Sequence, residues 1–358
     1  MRGTGWKLLD NPITRAMASP LSVDDYLTQF NPLWSVAEVR GRIERVERET
    51  ADAVTLHITP NGHWQGHRAG QHLVLGVEIE GVRHSRCFSI SSAPADAGIT
   101  VSVKRNGQGL VSNYLVDQAR AGEILHLSQA RGEFLLPEGN GPLLMISGGS
   151  GITPLMAMLR QCVREGQQRD VVFLHYSNSY IDTLFRAELR ALAERFEWLS
   201  LIQVVNEGAP LAGDRRGLFS AEQLVELVPD YAARTPLLCG PPALMERVNA
   251  AFERAGLATP AQEQFQVKVS SAAGEGVVLF SKSGREAAGD SAGSLLELAE
   301  QQGLNPESGC RMGICHACKC HVSEGRVRDL RNGEVRDVKD EDIQLCVHAA
   351  AGAVQVEL

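Results

Sequence analysis

The chain has 358 residues, more than one ordinary core holds, which suits two or three domains. It is 44% hydrophobic and 22% charged with 35 glycines and 15 prolines, so disorder and collagen-like repeats are excluded. A formal charge of −8 argues against nucleic acid as a partner, and no run of about 20 apolar residues is present to span a membrane.

Residues 1–37 read as a Trp- and Pro-containing leader without a period, an arm packed against a neighbouring domain or partly mobile, with docking of a partner as the alternative. Residues 38–138 read as strands. Val54–Ile58, Val74–Ile79 and Ile99–Val103 alternate, and turns at Asn61-Gly62, Glu80-Gly81 and Ala97-Gly98 separate them. With one helix expected from Leu110 to Ala119, this is the pattern of a small antiparallel β-barrel. Residues 139–262 alternate strand and helix, with strands at Leu143–Ile146, Val171–His175, Leu199–Val205 and Pro236–Leu238. Helices are expected at Pro154–Glu165, Thr183–Phe196, Ala221–Val228 and Ala243–Ala255. This is a doubly wound parallel α/β domain, whose ligands sit beyond the carboxyl ends of the strands. Thr259–Gln264 reads as a junction. Residues 263–358 read as a third, α+β domain: a hairpin of Gln266–Val269 and Val277–Phe280, a helix from Leu295 to Gln302, then a cysteine-rich loop.

Five of the eight cysteines lie in that last domain. The first twenty residues lack the apolar segment of a secretory signal, so a cytoplasmic, reducing compartment is expected, where clustered cysteines bind metal. Cys310-x4-Cys315-x2-Cys318 with Cys346 further on is the spacing of a plant-type [2Fe–2S] cluster. The alternative, a four-cysteine zinc site, ordinarily shows two C-x2-C pairs, and here there is one. Cys320 reads as a bystander.

The segment Gly309-Cys-Arg-Met-Gly-Ile-Cys-His-Ala-Cys318, with Ile343-Gln-Leu-Cys346, resembles the ferredoxin domain of bacterial flavin-iron–sulfur reductases. The order of flavin, nicotinamide and ferredoxin domains is that of the phthalate dioxygenase reductase group. Arg86-Cys87-Phe88-Ser89 resembles the Arg-x-Tyr-Ser flavin motif of the ferredoxin–NADP reductase superfamily, with Phe88 in place of the usual tyrosine. Arg86 can neutralise a pyrophosphate, and the resemblance places Ser89 near flavin N5. Val103, Lys104, Gly109, Leu110, Val111 and Ser112 form a second flavin segment, a Gly-rich turn opening a helix whose free N–H groups suit phosphate. The resemblance favours FAD over FMN.

Gly148, Gly149, Gly151 and Thr153, within Ser147-Gly-Gly-Ser-Gly-Ile-Thr-Pro154, follow a strand and open a helix, so glycines allow backbone to approach a pyrophosphate. They resemble the superfamily's nicotinamide motif. Cys239-Gly240-Pro241 resembles its second signature, which places Cys239 beside the nicotinamide C4; Ser89 and Cys239 are the expected catalytic residues. After the second strand of this domain, Ser177, Ser179 and Tyr180 offer hydroxyls and Asn178 an amide, with neither an acid for a ribose nor an arginine for a 2′-phosphate; NADPH is favoured over NADH.

The resemblance implies electron flow from NAD(P)H to FAD to [2Fe–2S] and on to an external oxygen-activating enzyme. Glu49–Thr55, Trp64–Gln71 and Cys310–His316 resemble reductases that serve membrane-embedded di-iron fatty acyl desaturases, the first expectation for the acceptor. The alternatives are a Rieske-type oxygenase, an alkane hydroxylase or a cytochrome P450, and, in another class, an iron–sulfur redox sensor. Any membrane association would then run through the acceptor.

Overall fold

The computed structural model describes residues 11–107, 109–265, 276–289, 293–309, 311, 313 and 317–358, and the chain forms two compact units, one of residues up to Arg83 with Phe88–Gln264, the other of His84–Cys87 with Phe265–Leu358. Two short helices come first, α1 (Pro12–Ala18) and α2 (Val23–Phe30). Ser22 and Asp25 cap α2 reciprocally, satisfying two of its orphan N–H donors. This arm is tied down by Arg40. Its guanidinium, nearly buried, donates to Asp24 at 3.1 Å and to the carbonyls of Trp34 at 3.0 Å and Pro32 at 3.3 Å. Asp24 in turn accepts from Ser35 Oγ at 2.5 Å and from the Val36 N–H at 2.8 Å.

Six strands follow: β1 (Val39–Thr50), β2 (Ala53–Pro60), β3 (His72–Ile79), β4 (Val82–Ser89), β5 (Ile99–Lys104) and β6 (Ile124–Leu127), in the order β4-β3-β6-β1-β2-β5. An antiparallel bridge between Ile90, just beyond β4, and Val101 of β5 joins the two outer strands, which makes the sheet a barrel. The helix α3 (Leu110–Asp117) sends Val111 and Leu115 into the barrel core beside Ile43, Leu56 and Leu125. Each such buried side chain contributes about 1.5–3 kcal/mol.

The α/β part comprises β7 (Leu143–Gly148), α4 (Ile152–Arg164), β8 (Val171–Ser177), α5 (Arg186–Arg195), β9 (Leu199–Val205), β10 (Arg215–Arg216), α6 (Ala221–Leu227), β11 (Thr235–Cys239), α7 (Pro242–Arg254) and β12 (Ala261–Glu263). The sheet is parallel, in the order β10-β9-β8-β7-β11-β12. Its central strands are buried along their length, as expected when helices cover both faces. Two of its strands depart from the sequence reading. The junction at Thr259–Gln264 holds β12, an edge strand of Ala-Gln-Glu that lacks the apolar signal of the central ones, so this sheet runs through Glu263, the residue where the third domain was expected to begin. A second short edge strand, β10, carries two exposed arginines.

Several polar contacts join barrel and parallel sheet. Arg160 of α4 donates to the Ser91 carbonyl at 2.6 Å, and Glu49 of β1 accepts from the Phe185 N–H at 3.2 Å. The buried Arg169 donates to the carbonyls of Pro137 at 2.9 Å and Gly141 at 3.1 Å, which fixes the linker between the two.

The second unit contains β13 (Val277–Phe280), β14 (Arg285–Ala288), α8 (Leu295–Gln301), β15 (Lys319–Asp329), β16 (Val335–Gln344) and β17 (His348–Val356), with sheet order β14-β13-β17-β15-β16. α8 packs Leu295, Leu296 and Leu298 over Phe280, Val322 and Val354. The hairpin partner of β13 is β14; Gln266–Val269 lies outside the described residues. Among the described residues, no helix is long and apolar enough to cross a membrane.

An Arg40→Leu variant removes the cation paired with Asp24 and the guanidinium that donates to the Pro32 and Trp34 carbonyls. The expected cost is about 1–3 kcal/mol, seen as a lower melting temperature together with new protease cleavage between residues 12 and 37.

Candidate functional site

The two nicotinamide motifs, some ninety residues apart in sequence, lie backbone against backbone because three positions carry no side chain. A Cβ on Gly151 would fall 2.3 Å from the Cys239 carbonyl oxygen, and one on Gly148 2.7 Å from Leu244 and 2.8 Å from Pro241. A Cβ on Gly240 would stand 3.0 Å from the Gly148 nitrogen. Gly149, at φ +53, turns the chain into α4 in a conformation that favours glycine. No side chain caps the start of α4, and Thr153 Oγ1 donates back to the Ser150 carbonyl at 3.0 Å. Uncapped N–H groups behind a glycine turn at a strand end suit a pyrophosphate.

Cross-strand register adds a row of polar side chains on one level of this sheet. Glu263 pairs with Cys239, Cys239 with Ser147, Ser147 with His175, and His175 with Gln203. Cys239 is fully buried, and burial first, then the Glu263 charge, pushes its thiol well above the usual range. Cys239 is therefore a neutral thiol, suited to packing against a ring rather than to nucleophilic attack. Burial also lowers the His175 pKa to about 3, and the neutral ring shares a hydrogen bond with Ser147 Oγ at 2.7 Å through Nδ1.

Ser89 is buried at the end of β4, and its Oγ donates to Glu263 Oε2 at 3.1 Å. The two residues expected to be catalytic are thus neighbours of one carboxylate: Ser89 by a hydrogen bond, Cys239 by strand register. Glu263 itself was not legible as functional; Pro260 just ahead of it suggested only a junction. The Phe88 ring packs on the barrel core, and Arg86 and Cys87 are half-buried on the same strand, with Arg86 Nη1 donating to the Ser85 carbonyl at 2.7 Å.

In the other flavin segment, Gly109 caps α3 without a side chain, and Ser112 Oγ donates to the Gly109 carbonyl at 3.2 Å. Val103 and Val111 point into the barrel core, so only their backbone can meet a ligand, and Leu110 is exposed. Lys104 is held by Asp52 at 2.7 Å. These features fit a phosphate-bearing flavin: an uncapped helix start, a buried hydroxyl held in one direction, and a flat ring on the barrel wall.

At the carboxyl ends of β8, β9 and β10, Ser177 pairs in register with Val205, and Val205 with Arg216. Ser177 spends its hydroxyl on Thr183 at 2.8 Å and on the Ser179 carbonyl, while Asn178 is exposed. An arginine does stand at this end of the sheet, on a strand the sequence did not reveal.

In the second unit, Cys310 and Cys315 lie outside the described residues, while Cys318 and Cys346 are buried. The Leu345 N–H donates to the Cys318 carbonyl at 3.1 Å, which ties these two positions together. Gln344 donates to the Gly313 carbonyl at 2.7 Å, a Cβ on Gly313 would meet Val347 at 2.9 Å, and Arg311 pairs with Glu300 of α8. Gly313, between the first two cysteines of the spacing, is therefore held against Gln344 and Val347, which flank Cys346 closely in sequence. Cys320 turns to the Glu357 carbonyl at 3.6 Å.

Comparison with known proteins agrees with this division. Residues 41–135 match the oxidoreductase FAD-binding domain, 145–250 the oxidoreductase NAD-binding domain and 279–351 the 2Fe-2S iron-sulfur cluster binding domain. An NADPH oxidoreductase of Mycobacterium tuberculosis is 38% identical over 98% of this chain and 92% of its own. The stachydrine N-demethylase reductase subunit of Rhizobium meliloti is 29% identical over 92% of this chain and 100% of its own. The structure of phthalate dioxygenase reductase shares the fold, with a TM-score of 0.64 at 24% identity over 89% of this chain and 97% of that one.

Two outcomes are expected. Gly151→Ala drives a methyl into the Cys239 carbonyl, so the protein keeps its yellow flavin but is no longer bleached by NADPH. Separately, unfolded histidine titrates near 6.5 and folded His175 near 3, so the unfolded chain binds a proton the folded one refuses. Stability therefore falls by about 1.4 kcal/mol per pH unit as pH drops through that window, and thermal melts of His175→Asn lose this component.

Proposed function

The chain belongs to the NAD(P)H reductases that carry FAD-binding, NAD-binding and [2Fe–2S] domains in that order, and we propose that it is an NADPH-dependent reductase delivering electrons to a membrane-embedded di-iron acyl desaturase. The observation that carries the reductase assignment is the shared carboxylate: Glu263 binds Ser89 of the flavin motif and faces Cys239 of the nicotinamide motif. When bound, the flavin accepts a hydride from the nicotinamide and releases electrons one at a time to the cluster. The protein's part is position. Gly148, Gly151 and Gly240 let the two nicotinamide loops close on each other, the neutral Cys239 gives the nicotinamide ring an apolar edge, and Ser89 supplies a hydroxyl of fixed direction. Cys310, Cys315, Cys318 and Cys346 would hold the cluster.

NADPH is favoured over NADH by Arg216, which stands in the register row of Ser177 at the end where the adenosine half of a dinucleotide binds, with Arg215 beside it. Both are exposed. The relative from Mycobacterium tuberculosis, named an NADPH oxidoreductase, supports the same choice.

For the acceptor, the desaturase reading draws on the resemblances at Glu49–Thr55, Trp64–Gln71 and Cys310–His316. The arm adds apolar side chains left in solvent, Met17 at 80% and Phe30 at 81% exposure, which suit a partner with an apolar surround. The second reading, a reductase component for a Rieske-type oxygenase, an alkane hydroxylase or a cytochrome P450, draws on the Rhizobium meliloti relative, whose name is that of an N-demethylase reductase subunit.

Replacing Arg215 and Arg216 with alanine is expected to raise the KM for NADPH about tenfold or more and leave that for NADH unchanged, as loss of charge-assisted contacts requires. For the acceptor, NADPH-driven turnover is measured in membranes holding an acyl desaturase and with a ring-hydroxylating oxygenase. Stimulated desaturation alone supports the first reading; oxygenase turnover alone replaces it with the second. A Cys346→Ser variant should still be bleached by NADPH yet deliver nothing to either, and full delivery would sink the proposed electron path.

A further inference from the structure

Glu263 has a second hydrogen-bond partner that no motif contains. Its Oε1 lies 3.0 Å from Nδ1 of His72, the first residue of β3, and the imidazole is 6% exposed. A carboxylate oxygen accepts only, so His72 carries its proton on Nδ1 and donates. With Ser89 donating to Oε2, the two carboxylate oxygens are satisfied from two different barrel strands. The histidine ring is itself held. Its backbone exchanges two hydrogen bonds with Arg131, each 2.9 Å, which sets the ring's origin. Gly132, at φ +117, lies under the ring, and a Cβ there would stand 2.9 Å from Nδ1 and 3.0 Å from Cε1. The imidazole fills space that only a glycine leaves, and from there it has one direction to point.

We propose that His72 is a positioning residue that locks the Glu263 carboxylate in a single rotation, so that Oε2 is always offered to Ser89 while the same group faces Cys239. The reasoning is geometric. A carboxylate on the short edge strand β12 can turn about its side-chain bonds, and one hydrogen bond to Ser89 would leave several rotations open. A second donor on the opposite oxygen removes them. Ser89 then has one acceptor, and its hydroxyl proton keeps one direction, toward Glu263. The polar groups facing Glu263 are His72 from β3, Ser89 from β4 and Cys239 from β11, the last a neutral thiol. This inference rests on the assignment of Ser89 and Cys239 to the site of hydride transfer.

The test uses the flavin-loaded protein with His72→Leu, which removes the donor, and His72→Asn, whose amide N–H falls near the position of Nδ1. A readout independent of turnover comes first: the His72 Nδ1 proton should give a downfield NMR signal that persists in Ser89→Ala and vanishes in Glu263→Gln. In stopped flow, His72→Leu should slow maximal bleaching by NADPH about tenfold at unchanged apparent affinity, and His72→Asn should recover most of that loss. Gly132→Ala, which displaces the ring without deleting it, should slow bleaching in the same way and serves if His72→Leu does not fold. Wild-type bleaching in either His72→Leu or Gly132→Ala, or equal loss in the leucine and asparagine variants, would overturn the proposal. Unchanged bleaching in Ser89→Ala would instead remove the underlying site assignment, whatever the histidine signal shows.

Discussion

A carboxylate buried among apolar walls is stable only where donors reach it, because stripping an ion of water costs several kcal/mol. Glu263 lies on a strand of the parallel sheet and takes its donors, His72 and Ser89, from the barrel. Two independently built cores must therefore meet within the tolerance of a hydrogen bond, a few tenths of an ångström. The other contacts across this boundary serve that requirement. Arg160 and Glu49 clasp backbone groups of the opposite part, and Arg169 fixes the linker so that the sheet cannot swing on it. Each satisfies a main-chain atom, which moves less than a side chain and so transmits position better.

Steric omission does the rest. Gly148, Gly151 and Gly240 let two loops touch that any larger residue would hold apart, and Gly132 does the same for an imidazole. At these places the protein specifies its site by leaving atoms out, with little stability to be gained from the residue itself.

How much of this could be read in the sequence follows from how each part is stabilised. The barrel strands and the βα alternation were legible because burial imposes periods of two and of 3.6, as in Val54–Ile58 and in α4. The cysteine spacing and the glycine turn were legible because a cluster and a pyrophosphate constrain residues close together in the chain. The edge strands β10 and β12 were not, since an edge needs no apolar repeat: Arg215-Arg216 and Ala261-Gln-Glu263 are placed by their neighbours. Glu263 and His72 were missed for the same reason, being 191 positions apart and joined only by the fold. Cys239 was found by its motif, but its neutrality depends on burial that no motif states.

The order of strands in the parallel sheet has a metric consequence. Cys239 stands on β11 and Arg216 on β10, four strand steps away through β7, β8 and β9. Hydrogen-bonded strands are spaced at about 4.8 Å, so the two ends lie roughly 19 Å apart. That interval is set by main-chain hydrogen bonds and is insensitive to which side chains fill the core. Under the proposed assignment the sheet would serve as a ruler for an extended dinucleotide, with the redox end at one mark and the phosphate end at another. Exchange of one nucleotide for another can then be written at the far mark alone, leaving the chemistry at the near mark untouched.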